Sequence, residues 1–334
     1  MVYDPRFVIT PQLLARVEAI AALRERIQSA AVEVAWIPSL QRDTRARNVH
    51  SSTAIEGNPL TLEQVRAVEE GADLMPVPSR SKREVLNYFA GLRYIEKHAA
   101  KKGITAADVC RLHRIIAGDV MDQGKAGVYR DVELRVGPYL PPPANKVSAL
   151  MAELLDGWNA RSDELSPVIS QAVIHYRFEA IHPFADGNGR TGRALALWEL
   201  YRRGFDSHHI FSVDEFYWED RPRYYRALQA VREHEEDLTS FLEYCAEGLL
   251  STVERVWRRT QQLSATKGGT KLVLRPRQEQ VLYLLKAKGS MSPRQIWEAL
   301  DVSKQGAIDL LRPLMKAGLV KRIGTQKNGK YVLK

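Results

Sequence analysis

His182-Pro183-Phe184-Ala185-Asp186-Gly187-Asn188-Gly189-Arg190-Thr191-Gly192-Arg193, near the middle of the chain, sets a base, a carboxylate, a glycine-rich turn and two arginines on one stretch. Histidine can take a proton from a hydroxyl at neutral pH, because its unperturbed pKa is about 6.5. Asp186 offers the hard oxygen that Mg²⁺ prefers, phosphate oxygens and water completing the shell. Gly187-Asn188-Gly189 can bend so that successive backbone N–H groups converge. The residues from Arg190 to Arg203 read as a helix whose N-terminus adds its positive dipole end. Arg190 and Arg193 lie three apart on one face, where guanidinium forks suit two phosphates. These are the parts of a nucleoside triphosphate site. Asp-Gly and Asn-Gly also make hairpin turns. A hairpin needs a strand next, however, and Ala194-Leu195-Ala196-Leu197-Trp198-Glu199-Leu200-Tyr201 is better helix by length and propensity.

The stretch resembles the signature of the Fic (Fido) family, His-x-Phe-x-Asp/Glu-Gly-Asn-Gly-Arg-x-x-Arg, with every specified position filled. The resemblance implies transfer of AMP from ATP, with Mg²⁺, to a serine, threonine or tyrosine hydroxyl of a protein, this chain itself included. By the same resemblance His182 is the general base, Phe184 anchors the loop and Asp186 holds the metal. Gly187, Asn188, Gly189 and Arg190 hold the α- and β-phosphates, and Arg193 orients the γ-phosphate. The hydroxyl attacks the α-phosphorus in line and pyrophosphate leaves, so that catalysis is mostly positioning and charge neutralisation. Some relatives carry lysine where this chain has Gly189 and move a terminal phosphate; glycine leaves room for a triphosphate tail. A few relatives turn the nucleotide round and transfer phosphocholine, which the motif also fits.

Upstream, Ser51-Ser52-Thr53-Ala54-Ile55-Glu56-Gly57-Asn58 closes a helix expected over about 42–56, with Gly57 at its end and Pro59 preventing continuation. Thr61-Leu62-Glu63-Gln64 then opens another helix as a capping box. Ser52 and Glu56 share a face, and a carboxylate at a helix C-terminus sits badly with the dipole unless a cation joins it. The stretch resembles the inhibitory motif of Fic proteins, Ser/Thr-x-x-x-Glu-Gly/Asn, placed before the catalytic region. The resemblance implies that Glu56 pairs with Arg193 and keeps the γ-phosphate from docking. In some relatives the equivalent glutamate also positions water to remove AMP from the target.

Gly127-Val128-Tyr129-Arg130-Asp131-Val132-Glu133-Leu134-Arg135-Val136-Gly137 alternates and runs into Pro141-Pro142-Pro143, as a short strand pair at an exposed edge would. It resembles the Fic flap, expected over about 127–143, which binds an extended segment of the target by strand addition. Arg223-Tyr224-Tyr225-Arg226-Ala227-Leu228 resembles the tyrosine pair of the family's nucleoside pocket. Adjacent helical residues point different ways, so at most one of Tyr224 and Tyr225 stacks on adenine. Arg232 stands where some relatives place an asparagine.

The rest of the first 260 residues reads as helix after helix. Val85, Tyr88, Phe89, Leu92 and Ile95 form one apolar stripe; Leu150, Met151, Leu154, Leu155 and Trp158 form another. A helix from Ser166 through Ile181 delivers His182, and Asp237 to Gln262 is a long terminal helix. The fold class is therefore mainly α: a Fic helical bundle with a β-hairpin flap, its N-terminal region over 1–110 and catalytic core over 111–262.

After a linker at 263–274, residues 275–334 carry thirteen Lys and Arg against four Asp and Glu, a balance of +9 that equals the whole chain's, so the first 274 residues sum to zero. Gln278 to Lys288 is a first helix, Ser292-Pro293-Arg294-Gln295 caps a second through Leu300, and Ser303 caps a third ending at Gly318. Strands follow at Leu319 to Ile323 and Lys330 to Leu333, with Asn328-Gly329 in the turn. The pattern resembles a small α+β winged helix-turn-helix. In a DNA-binding version Ser303, Lys304 and Gln305 approach the bases while Lys321, Arg322, Lys327 and Lys330 meet phosphate; winged helices also mediate protein contacts.

With 334 residues and 45% hydrophobic content, the chain suffices for two packed domains. It has no apolar run of membrane-spanning length and no charged-then-apolar leader, and Cys110 and Cys245 make no metal-ligand spacing. A cytoplasmic protein with reduced thiols is the expectation. The pair His208-His209 reads as surface. The expected activity is an autoinhibited protein adenylyltransferase acting on a protein substrate, with a homodimer as one route to relief. A DNA-binding regulator whose Fic region senses nucleotide is the rival reading.

Overall fold

The computed structural model describes residues 3–29, 37–71, 78–160, 164–206, 208–265, 276–300, 302–316, 318–324 and 329–334. Its helices in chain order are α1 (Pro11–Ser29), α2 (Ile37–Ile55), α3 (Leu62–Glu69), α4 (Ser79–Lys97), α5 (Ala106–Ala117), α6 (Val147–Ala160), α7 (Pro167–Ile181), α8 (Asn188–Arg202), α9 (Asp214–Glu219), α10 (Arg221–Glu233), α11 (Thr239–Ala265), α12 (Pro276–Lys288), α13 (Pro293–Leu300) and α14 (Lys304–Lys316). The strands are β1 (Val320–Ile323) and β2 (Lys330–Leu333). Two compact units emerge: residues 1–24 with 41–256, and residues 25–40 with 257–334.

Local chemistry sets the helix boundaries of the first unit. Gly57, at φ +95°, ends α2 in a conformation costly for any residue with a Cβ. Reciprocal capping boxes open α3 (Thr61 with Gln64) and α5 (Thr105 with Asp108). Ser166 caps α7 with Pro167 in its first turn, and Asp220 caps α10. Nearly every residue of α7 and α8 is buried, so this pair forms the centre. α4 and α5 pack against each other and on α8, while α6 packs on α7. Both expected stripes face inward, except that Leu150 is only half-buried.

Two expectations change here. Among the described residues, 127–143 holds no strand pair; a single antiparallel bridge joins Val136 to Tyr139 around Gly137. Pro138 and Pro141 to Pro143 lack the N–H groups a ladder needs, and the segment is held by a side chain instead. His209 is not plain surface: half-buried, at φ +53°, it lays its ring on Tyr201 with centroids 4.1 Å apart.

In the second unit α12, α13 and α14 enclose Val281, Leu285, Ile296, Ala307, Leu311 and Leu314, with Val320 and Tyr331 closing the core from the hairpin. β1 and β2 are antiparallel, Val320 opposite Leu333 and Ile323 opposite Lys330, and Met291 adds a bridge to Tyr331. Ser292 and Gln295 exchange the capping-box bonds at α13. The linker from 266 on, Lys327 and Asn328 lie outside the described residues. Both cysteines are free thiols, and no described helix is long and apolar enough to cross a membrane.

Candidate active site

The residue that ends α7 is the one expected to act as base. His182 caps α7 in the left-handed region (φ 51°, ψ 60°), which turns the chain sharply out of the helix. The turn carries its ring back beside α7, where a ring N–H donates to the Glu179 carbonyl and Nδ1 lies 3.9 Å from the Glu179 carboxylate. Burial pushes the imidazole pKa down to about 4, with Arg130 and Arg232 adding to the fall. At neutral pH the ring is neutral and its other nitrogen can accept a proton.

The loop from Phe184 to Gly187 is closed by groups that the sequence reading passed over or assigned elsewhere. Asn188 accepts from the Phe184 N–H (2.9 Å) and donates to the Phe184 carbonyl (2.8 Å), so its side chain clasps the loop and only its backbone can serve an anion. Phe184 is fully buried and stacks on His113 at 3.6 Å. His113 accepts the Gly127 N–H at Nδ1 (2.8 Å) and so donates from Nε2 to the Asp186 carbonyl (2.8 Å), linking two remote segments. Arg130, its side chain wholly buried, donates to the carbonyls of His182 (2.9 Å), Ile181 (3.4 Å), Val132 (3.0 Å) and Pro142. One guanidinium thus holds the 127–143 segment to the backbone at His182. Arg232 sits over the Tyr139 ring at 3.5 Å.

Around the turn the charges converge. Gly187 caps α8 at φ +77°, and the first N–H groups of that helix have no intrahelical acceptor. Arg190 Nε and Nη1 and Arg193 Nη1 are buried donors without a hydrogen-bond partner among the described residues. A pocket of unsatisfied N–H groups beside a helix N-terminus is what an oligophosphate fills. Asp186 is partly exposed; its Oδ1 takes the Gly187 N–H and its Oδ2 faces the Asp122 N–H at 3.3 Å. Among the described residues no cluster of three or more His, Cys, Asp and Glu could cage a metal. A single open carboxylate fits a cation that arrives with its own phosphate and water ligands.

Glu56 occupies the remaining space. Its Oε1 is 2.8 Å from Nη2 of Arg193, while Ser52 takes Arg193 Nε at Oγ and Nη2 at its carbonyl, both at 2.9 Å. Burial pushes the Glu56 carboxyl up, but the charge and hydrogen bond of Arg193 outweigh it and hold the group below the usual range. A Cβ on Gly189 would collide with this carboxylate, so the room that glycine leaves is taken by an anion from the chain itself.

Of the tyrosines, Tyr224 is buried with its hydroxyl 3.0 Å from His175 Nε2, under the Arg193 guanidinium. Tyr225 is 42% exposed, so its ring is the one open to a ligand. In the second unit Ser303, Lys304, Gln305, Lys321 and Arg322 are all exposed. Ser303 spends its hydroxyl on the Gly306 N–H and Gln305 bonds Asp309, while Arg322 covers Gly329.

Residues 103–200 match the Fic/DOC family. The chain is 31% identical over 256 residues to "Protein adenylyltransferase Fic" of Culex quinquefasciatus, covering 75% of this chain and 49% of that one. It is 32% identical over 221 residues to "Protein adenylyltransferase fic-1" of Caenorhabditis elegans, covering 65% and 42%. It thus spans about half or less of the length of these relatives. A Fic family protein of Desulfovibrio desulfuricans G20 superposes with TM-score 0.68 at 29% identity, covering 99% of this chain and 98% of the other. Fic-1 of C. elegans superposes at 0.66 with 26% identity, covering 75% and 73%.

Proposed function

The chain carries a Fic domain, and from that premise we propose that it is a protein adenylyltransferase held shut by Glu56. The observation that carries the reading is the Glu56–Arg193 pair lodged against Gly189, beside a neutral histidine and buried guanidinium donors that await an anion. The relatives' names support AMP transfer as the reaction.

In the released enzyme Arg193 takes the γ-phosphate, while Arg190 and the first N–H groups of α8 take the inner phosphates. Asp186 holds Mg²⁺, which when bound offsets phosphate charge. A hydroxyl of the target protein, laid along 127–143, gives its proton to His182 as its oxygen bonds the α-phosphorus; the bond to the β-phosphate breaks and pyrophosphate leaves. Tyr225 offers its ring face to the adenine.

Incubation with Mg²⁺ and either α- or γ-labelled ATP tests this. The expected result is α-label on protein for Glu56→Gly and none when His182→Ala is added. Label from γ-ATP alone, or from labelled CDP-choline alone, overturns it.

A second reading concerns the basic unit at the C-terminus. Lys304 on α14 and Lys321, Arg322 and Lys330 on the hairpin are exposed basic groups of the kind that meets the phosphates of duplex DNA. It is compatible with the first, the one unit acting on protein and the other on DNA.

A further inference from the structure

Glu179 is a buried carboxylate that the reaction as described does not use. It sits on α7 three residues before His182, its side chain 8% exposed, with Oε2 3.9 Å from Nδ1 of His182. Its Oε1 is buried without a hydrogen-bond partner among the described residues. Space for it comes from α8: a Cβ on Gly192 would meet Oε1 at 2.5 Å. Glycine inside a helix is destabilising relative to alanine, and a carboxylate buried without a close ion pair is more so. Stability does not explain the buried carboxylate, for which Gly192 makes room as it does for the Phe178 ring, but placement beside the base does.

Resting on the assignment of His182 as base, we infer that Glu179 is a positioning residue whose carboxylate, behind Nδ1, steadies the protonated ring that forms as the target hydroxyl loses its proton. The groups facing His182 are Arg130, Arg232, Glu56 and Glu179. Both arginines oppose a charge on the ring; the two carboxylates favour it. Glu56 is the brake and leaves Arg193 in the active enzyme, so beside the Glu179 carbonyl that accepts a ring N–H, the Glu179 carboxylate is the charge that remains to offset the arginines.

The groups facing Glu179 are Arg193 from α8, Arg232 and Tyr224 from α10, Glu56 beyond α2, and His182. Burial and then the Glu56 charge push its carboxyl up, to about 7, against Arg193. Departure of Glu56 removes a repelling charge, and that change favours the ionised form. The brake therefore acts twice, on the phosphate site and, through Glu179, on the base.

The test uses the full chain with ¹³C-labelled histidine in the Glu56→Gly background, with and without Glu179→Gln. NMR follows the His182 ring against pH without turnover. The expected result is a step in the ring signal, set by ionisation of the Glu179 carboxyl at or below about pH 7, that is absent in Glu179→Gln. Above that step AMP transfer falls in Glu179→Gln by up to about tenfold in kcat with little change in KM for ATP, since one pKa unit on the protonated ring is at most one decade. Gly192→Ala, which displaces the carboxylate without removing it, weakens the step and serves if the glutamine variant does not fold. A step that survives in Glu179→Gln overturns the inference, as does a loss of rate that tracks a fall in melting temperature with no change in pH profile. A step lost in Glu179→Gln with no AMP transfer in any variant supports the Glu179–His182 coupling and overturns the adenylyl reading instead.

Discussion

Replacing Glu56 by glycine removes the carboxylate from Arg193 and leaves the other partners of that guanidinium in place. A hydrogen bond between charged groups contributes about 1.5–3 kcal/mol. The Arg193 side chain is 1% exposed but Glu56 is 33% exposed, so solvent screening puts the pair near the low end, at about 1.5–2 kcal/mol. If this contact holds the shut state against ATP, its loss raises the rate of AMP transfer about 10- to 30-fold, at one decade per 1.36 kcal/mol. Incorporation of α-label at fixed protein and ATP measures this directly. Ser52→Ala makes a graded control, since it deletes the bond from Nε to an uncharged hydroxyl acceptor and keeps the carboxylate; the expected gain is smaller, about 2- to 5-fold. The depressed Glu56 carboxyl also fixes a sign: it favours the shut state above its unfolded pKa, and that contribution is lost only as pH falls through the lowered folded value. Mild acidification therefore does not release the enzyme. A folded Glu56→Gly chain that transfers AMP no faster than native refutes the reasoning.

Arg130→Lys keeps the charge but cannot reach four carbonyls; unfolding by denaturant should show a loss of about 2–4 kcal/mol, and transfer to protein should fall more than ATP binding. Asp206 accepts from the N–H groups of Ile210 and Phe211, yet burial pushes its carboxyl up to about 7. Its contribution to stability is complete below its unfolded pKa and is lost as pH rises through about 7, so Asp206→Asn should flatten melting temperature against pH between roughly 4 and 7. Binding of the full chain to a fluorescent DNA duplex should weaken with salt, and Lys321→Ala should reduce the log–log slope by about 1.

The signature and the helix boundaries are legible in the chain because their causes are local. Asn188, Gly187 and the two arginines fall within two turns of each other, and Thr61, Thr105 and Ser292 announce their helices through neighbours three residues away, Ser166 through one two away. The residues alone show that Glu56, a carboxylate at a helix C-terminus, wants a cation; the match to Arg193 comes from the resemblance to the inhibitory motif. Arg130 and His113 were not legible, since each acts across the fold on backbone atoms remote from its own stretch; Glu179 was not, since it is buried against α8, which the chain reaches only after the turn. The hairpin expected at 127–143 was misjudged for a related reason. Alternation suggested a ladder, but Pro138 and the later prolines remove its donors, and the buried Arg130 supplies the order instead. The signal available for Glu179 was Gly192 on the next helix, a small residue with no turn to make.

The left-handed backbone at His182 narrows what evolution can put there once catalysis is abandoned. At φ 51° and ψ 60° a β-branched residue is heavily strained and alanine moderately so, while asparagine, aspartate and glycine fit. A descendant that had lost the base but kept the scaffold would drift toward those three residues rather than toward valine or alanine. Decayed copies of this fold should thus be recognisable by a single amide or glycine at the end of the long buried helix, and a chain with valine there would have had to rebuild the turn.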